Sequence, residues 1–262
     1  MAKSNKIISE EIAENSFQEQ ATIERKIRKD KLVASLRLFA DYNFDEGIAG
    51  HITVRDPQFT ETFWVNPFGM YFGIITSDDL IRVDYNGNIV EGKHTKLNKA
   101  AFAIHSEIHK ARLDVNAVVH AHSIYGRIFS CLNEIIRPLT IEATPFYKDH
   151  ILYSEQGGIY SELSEGAEIA KKLKNKKAAI LRNHGLLTLG TTVDSAVWWF
   201  VALERSCQTQ LTALATGKEL IELNNEEAQR GYEELGNEDA GYFQFQPLYQ
   251  KTRAENPELF SE

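Results

Sequence analysis

Apolar residues first fall into a helical period at Ile27, Leu32, Leu36 and Phe39, which predicts a helix from about Ile23 to Tyr42. Residues 1–20, ahead of it, are polar and acidic with no apolar period and read as a flexible N-terminal arm. The helix stops near Asn43, and Gly47 and Gly50 mark a turn. The period then shortens to two. His-Ile-Thr-Val-Arg at 51–55 and Thr-Phe-Trp-Val-Asn at 62–66 alternate as strands do, the second ended by Pro67 and Gly69. Thr76-Ser77-Asp78-Asp79 carries the residue types of a helix start, with Ser77 or Thr76 as cap. Ile81 to Asp84 and Ile89-Val90 flank Asn86-Gly87-Asn88 and predict a hairpin.

Farther along, the pattern predicts a helix over 98–111, a buried strand from Asn116 to His120 and a helix from Ser123 to Leu132. Strand and loop follow over 138–153, then a helix over 161–174. The apolar strands Ala178 to Leu181 and Leu186 to Leu189 enclose Asn183-His184-Gly185. A long helix from Asp194 to Ala215 ends at Gly217. Residues 218–262 read as one more helix, up to Leu235, and then an extended aromatic tail. Strands and helices mix without strict βα alternation. The expected architecture is therefore an α/β fold of layered-sandwich type, with its main domain over 21–217.

Composition narrows the function. The net charge of −8 supplies no basic face for phosphate backbones, so a nucleic-acid partner is not expected. No run of about 18 apolar residues is present, so no membrane partner is expected either. The polar N-terminus has no apolar leader stretch, and the two cysteines, Cys131 and Cys207, have no metal-type spacing; a reducing cytoplasmic compartment is the expectation.

Candidate chemistry lies in the histidines. In His120-Ala121-His122 the two imidazoles point to the same side of an extended strand and can reach one ion. Paired surface histidines or hydrogen-bonded core histidines would produce the same spacing. Asn183-His184-Gly185 puts a third imidazole at a strand end, where glycine permits a sharp turn; a hairpin with a solvated histidine is the competing reading. Taken together, His120, His122 and His184 supply three ligands with coordination positions left open, the arrangement of a catalytic rather than a structural metal site.

Several runs resemble the class II aldolase/adducin family. They are Gly50-His-Ile-Thr-Val-Arg55-Asp-Pro57, Asn66-Pro-Phe-Gly69, Asp79-Leu80, Asn98 to His109, Ala111 to Ser123 and Arg182-Asn-His-Gly185. They occur in the family's order over about residues 25–217. The resemblance implies a three-layer α/β/α sandwich around a central, mostly antiparallel sheet, and a homotetramer with the metal near a subunit interface. It also implies one divalent ion on the three histidines, zinc first, with iron or manganese as alternatives. The ion acts as a Lewis acid toward a carbanion-like state.

The sequence departs from the family's sugar-phosphate aldolases. Where those carry Pro-Ser-Ser-Glu, this chain has Asn98-Lys99-Ala100-Ala101, so the carboxylate that binds metal and moves protons is absent. The phosphate loop is Asn66-Pro67-Phe68-Gly69, with a ring in place of a hydroxyl, and His51 stands where an asparagine is usual. The chain resembles the adducin-side branch. The expected function is a metal-dependent lyase, of aldolase or decarboxylase type, on a small oxygenated carbonyl or carboxylate compound that is not a sugar phosphate. One alternative is a non-heme iron oxygenase acting on an aromatic or hydrophobic acid. Another is a non-enzymatic adducin-like interaction module. His105, His109 and Tyr147 are the candidate acid–base groups. Asn66, Phe68 and Gly69 are candidates to line the substrate site, and Arg55 and Arg182 to hold a substrate carboxylate.

Overall fold

The computed structural model describes residues 2–155 and 162–260. Eight strands form one sheet: β1 (His51–Arg55), β2 (Thr62–Val65), β3 (Ile81–Asp84), β4 (Ile89–Glu91), β5 (Ala117–Ala121), β6 (His150–Tyr153), β7 (Ala178–Leu181) and β8 (Gly185–Gly190). Their order is β4-β3-β2-β1-β5-β8-β7-β6, and every neighbouring pair is antiparallel except β6 with β7. Helices α1 (Ala2–Asp41), α3 (Ile124–Ser130), α5 (Val193–Ala215) and α7 (Glu238–Glu255) supply the core on one sheet face. Helices α2 (Lys99–Ala111) and α4 (Leu163–Leu173) pack on the other, and α6 (Asn225–Leu235) precedes α7. The expected α/β/α sandwich is the one observed.

Strand alternation sorts the side chains. Ile52 and Val54 of β1, Ala117, Val119 and Ala121 of β5, and Leu186 of β8 enter the core under α1 and α5. Val118, Leu187 and Leu189 turn the other way, toward Ile104 and Ile108 of α2 and Ile169 of α4. The residues of β1 on that second side are polar: His51, Thr53 and Arg55, all buried.

Three expectations are corrected. Residues 2–20, read as a flexible arm, continue α1. They are rich in Ala, Glu, Gln and Lys and contain neither Gly nor Pro, so they favour helix without showing an apolar stripe. The extended C-terminal tail is instead α7, started by Asn237, whose side chain accepts from the Ala240 N–H. Phe245 of that helix is buried in the core of its own chain. Thr76 to Asp79 forms a turn rather than a helix start, because Asp79 Oδ2 accepts from both the N–H and the hydroxyl of Thr76. Among the described residues, no helix is long and apolar enough to cross a membrane.

Asp56 ties α1 to the end of β1. Its buried carboxylate accepts from Arg25 at 2.6 Å, from the Trp64 indole at 2.8 Å and from the N–H groups of Gln58 and Phe59. Burial alone would raise this carboxyl. The Arg25, Phe59, Trp64 and Gln58 hydrogen bonds override burial and hold it well below the usual carboxylate range. Asp56→Ala, which strands the indole and the guanidinium, is expected to lower the unfolding free energy by about 3 kcal/mol in urea titrations at pH 7. Because the folded carboxyl is depressed, its contribution is complete above about pH 4. The deficit of the variant therefore narrows as pH falls below that value.

Candidate metal centre

β5 and β8 bring the three expected ligands together. β5 delivers His120 at its penultimate position and His122 just past its end, and the turn from β7 into β8 delivers His184. That turn closes through Asn183, whose φ of +55° lies in the left-handed region that asparagine tolerates. Its N–H donates to Ser130 O and that of His184 to Leu181 O. Gly185 follows, where a Cβ would stand 3.0 Å from the Ala121 carbonyl, so the backbone comes close to β5 as a side chain would not permit.

One ligand atom from each of His120, His122 and His184 lies within 4.8 Å of the others. The ring centroids are 5.1 Å apart for His120 and His122, and 4.8 Å from His184 to each. The Nε2 atoms of His120 and His184 stand 3.1 Å apart. Two imidazoles on one tetrahedral zinc are spaced about 3.3 Å, given zinc–nitrogen bonds near 2.0–2.1 Å. His120 Nδ1 lies 2.7 Å from Leu186 O, so Nδ1 carries the proton and Nε2 presents its lone pair to the cluster. Burial, with the neighbouring His184, His51 and His122, holds His120 well below the usual imidazole range. Burial, with His184 and Arg127, pushes His122 down to about 4. Both rings are thus neutral near pH 7, the form in which imidazole binds a metal. The donor set fits one divalent cation.

Glu204 of α5, which the sequence did not single out, fixes the segment after His122. Its carboxylate accepts from Ser123 Oγ at 2.6 Å, Gly126 N at 2.7 Å and Tyr125 N at 2.9 Å. Four residues from α5 to α3 are thereby tied at the point where β5 ends.

The acid–base candidates are placed differently. His105 and His109 lie one turn apart on α2 and both reach Thr53 Oγ1, at 2.8 Å from Nδ1 and 2.9 Å from Nε2 respectively. His105 is separated from the metal cluster by His51, whose ring is 4.4 Å from that of His105 and 5.2 Å from that of His120. His109 lies farther off and stacks on Phe63 at 5.0 Å. Tyr147 precedes β6, whereas His184 follows β7; the two strands run parallel with His150 opposite Ala178, so Tyr147 sits at the other end of the sheet. Its hydroxyl donates to Asn225 Oδ1.

Arg55 departs from its expected role in substrate binding. It lies at the end of β1 away from His51, and its guanidinium donates to the carbonyls of Thr60, His109, Arg112 and Val115 and to the Tyr85 hydroxyl. With its donors engaged in this way, it staples β1 to α2 and to the segment leading into β5. Arg182 is exposed next to the ligand turn.

Asn66, Phe68 and Gly69 line a narrow cleft together with Ile48, Met70 and Phe72, and His51 closes it. Asn66 Oδ1 accepts from Ile52 N, which leaves its amide donors for the cleft. No Lys or Arg lines this cleft among the described residues. The sequence signal that could have singled out His51 was available: it stands two and four residues before Thr53 and Arg55 on a strand whose alternate residues are core aliphatics.

The sequence matches the Class II Aldolase and Adducin N-terminal domain over residues 30–211. It is 43% identical over 236 residues to a 4-hydroxy-3-prenylphenylpyruvate oxygenase/4-hydroxy-3-prenylbenzoate synthase of Streptomyces roseochromogenus subsp. oscitans, covering 90% of this chain and 85% of that one. It is 44% identical over 237 residues to decarboxylase NovR of Streptomyces niveus, covering 90% and 87%. The solved structure of an L-fuculose 1-phosphate aldolase from Glaciozyma antarctica PI12 superposes with a TM-score of 0.85 at 43% identity, covering 92% of this chain and 94% of that one.

His120→Ala, His122→Ala and His184→Ala are each expected to lower zinc affinity by at least about tenfold in chelator competition, because each removes one of three ligands. Tyr147→Phe is expected to leave the affinity unchanged. Undiminished zinc binding by His120→Ala would rule out this ligand set.

Proposed function

The chain belongs to the class II aldolase and adducin family, and from that premise we propose that it is a metal-dependent carbon–carbon lyase of decarboxylase or aldolase type, acting on a small oxygenated carbonyl or carboxylate compound that is not a sugar phosphate. The observation that carries this reading is the convergence of three imidazoles beside a cleft lined by Ile48, Met70, Phe68 and Phe72 together with Asn66, Asn98 and His51, with no cationic side chain among its described residues. When bound there, a divalent ion supplies a Lewis acid toward a carbonyl or carboxylate oxygen. The Leu186 carbonyl keeps His120 in the ligating tautomer, the Asn66 amide offers donors to a ligand oxygen, and Phe68 and Phe72 exclude water along the cleft. His105, whose Nε2 has no partner among the described residues, is the nearer of the two α2 imidazoles expected to handle protons.

The 43% identical aldolase structure is named for a sugar phosphate, yet the residues here favour another substrate. Ala101 replaces the expected glutamate, and Lys99, Ala100 and Phe68 replace phosphate-holding hydroxyls. The reading retains a homo-oligomer: Ile48, Ile124 and Ile128 are exposed beside the Glu46–Arg127 ion pair, at the end of the sheet that bears the histidines. It also retains a reducing cytoplasmic setting, which suits the free, exposed Cys131 thiol. A second reading, an iron-dependent oxygenase on an aromatic acid, is favoured by the 43% identical Streptomyces oxygenase and by the same apolar walls.

The test is to load the protein anaerobically with zinc, manganese or ferrous iron and then supply a 4-hydroxyphenylpyruvate-type acid in air-equilibrated buffer. Carbon dioxide release with zinc or manganese, without oxygen uptake, is the expected result. Release that needs iron and consumes oxygen in proportion would replace the lyase with the oxygenase. Faster cleavage of L-fuculose 1-phosphate than of any 2-oxo acid would overturn the substrate assignment.

A further inference from the structure

Glu204 is a buried carboxylate that packing alone does not account for. It is 2% exposed on α5, in a stretch that also buries Leu203 and Cys207. Its partners are Ser123 Oγ at 2.6 Å, Gly126 N at 2.7 Å and Tyr125 N at 2.9 Å, and no Lys or Arg pairs with it among the described residues. A carboxylate placed in a core without a counter-ion is costly to desolvate. All three partners belong to the start of α3, a helix of seven residues. Ser123 is the N-cap of that helix, a place where a serine oxygen ordinarily accepts from the first turn. Here the serine side chain accepts no such N–H and instead donates to Glu204, which lies 81 residues along the chain and does the capping itself.

α3 touches the carriers of all three clustered histidines. At its start, Ser123 directly follows His122. In its first turn, Gly126 lies so near β8 that a Cβ there would stand 2.5 Å from Leu186 Cγ, and the Leu186 carbonyl is the group 2.7 Å from His120 Nδ1. At its last residue, the Ser130 carbonyl accepts from Asn183 N at 2.9 Å, in the left-handed turn that delivers His184. A helix this short is not stable by itself, so its position is set by what anchors its ends. Glu204 anchors the start and the Asn183 turn the end.

We propose that Glu204 is a positioning residue of the metal centre: by capping α3 it holds the segments that carry His120, His122 and His184 at the spacing one divalent ion requires. Its hydrogen bonds end on Ser123, Tyr125 and Gly126 rather than on an imidazole, so it acts through the helix. Groups that orient metal ligands from behind change metal affinity about 10–100-fold when they are removed. Three donors are shared between two oxygens, with Ser123 Oγ and Gly126 N on Oε2 and Tyr125 N on Oε1, which suits a carboxylate. A glutamine would keep one oxygen and turn its amide NH2 on a backbone N–H, and a leucine would leave all three donors unpaired. The inference rests on the metal-centred reading and assigns part of that site's geometry to a helix that supplies none of the clustered histidines.

The test is cobalt binding by the whole chain, read as affinity and as the visible cobalt spectrum, together with amide hydrogen exchange of the metal-free protein. Glu204→Leu is expected to weaken cobalt binding at least about tenfold and Glu204→Gln about threefold, with the spectrum altered in both. The glutamine variant serves alone should the leucine variant not fold. Metal-free Glu204→Gln is expected to exchange faster than wild type at Gly126 and Asn183. Asp56→Ala, which lowers stability from the far end of β1, is expected to keep the cobalt affinity and spectrum of wild type and so separates lost stability from lost positioning. Wild-type affinity and spectrum in folded Glu204→Gln would overturn the proposal. An equal loss of affinity in Asp56→Ala would do the same, by making the effect one of stability. Unchanged exchange at Asn183 in Glu204→Gln would overturn it too, because α3 would then carry no constraint to His184. If wild type takes up no cobalt, the metal-centred reading fails by itself, and the exchange comparison still decides whether Glu204 holds the three histidine segments.

Discussion

The antiparallel pairing of β1, β5 and β8 is the constraint on which the rest of the site depends. In that register His51 lies opposite His120, and His120 lies opposite Leu187. Leu186, one step along, can then present its carbonyl to His120 Nδ1. Because side chains alternate, the same pairing sends Ile52, Val54, Val119 and Ala121 into the core beneath α1 and α5. A slip of one residue would drive imidazoles into that core and expose aliphatics, so apolar burial on one face locks the position of polar groups on the other.

The second face is unusual in what it buries. His120, His51, His105, Thr53 and His109 follow one another between the sheet and α2. Only part of their hydrogen-bonding capacity is met among the described residues. Stability lost there is offset by neighbouring features that are well satisfied, such as Arg55 with its ring of carbonyls, Glu204 at the start of α3 and Asp56 between Arg25 and Trp64. Among the described residues, both nitrogens of His51 and Nε2 of His105 are buried without a partner, as is Nδ1 of His109 farther along α2, while Arg55 at the far end of β1 has its donors engaged.

The absence of a carboxylate at Ala101 changes the character of the site. With three imidazoles and no acid among the clustered side chains, a dication bound there would keep its full charge toward the substrate, which favours anionic or strongly polarised oxygen groups. The cleft walls select against charge farther out, because Ile48, Met70, Phe68 and Phe72 offer it no partner. A polar head with an apolar body satisfies both conditions.

The sequence by itself determined the strands that carry the site and offered His120, His122 and His184 as a candidate set, and its resemblance to a known family implied the three layers. The strands follow from local periodicity: a two-residue repeat fixes which side chains share a face, and a glycine after His184 fixes where a strand can turn. Helix content at 2–20 was hidden because that stretch favours helix by residue propensity without an apolar stripe, and at 238–255 because that helix is held by its Asn237 cap and by Phe245 in the core. Only the tertiary structure decided that His51 stands beside His120, that Arg55 is consumed by backbone carbonyls and that Tyr147 lies at the opposite end of the sheet. The reason is physical: a residue's chemical type is local, but its neighbours are set by register between strands far apart in the chain, and the choice among a ligand, a staple and a distant surface group is made by those neighbours.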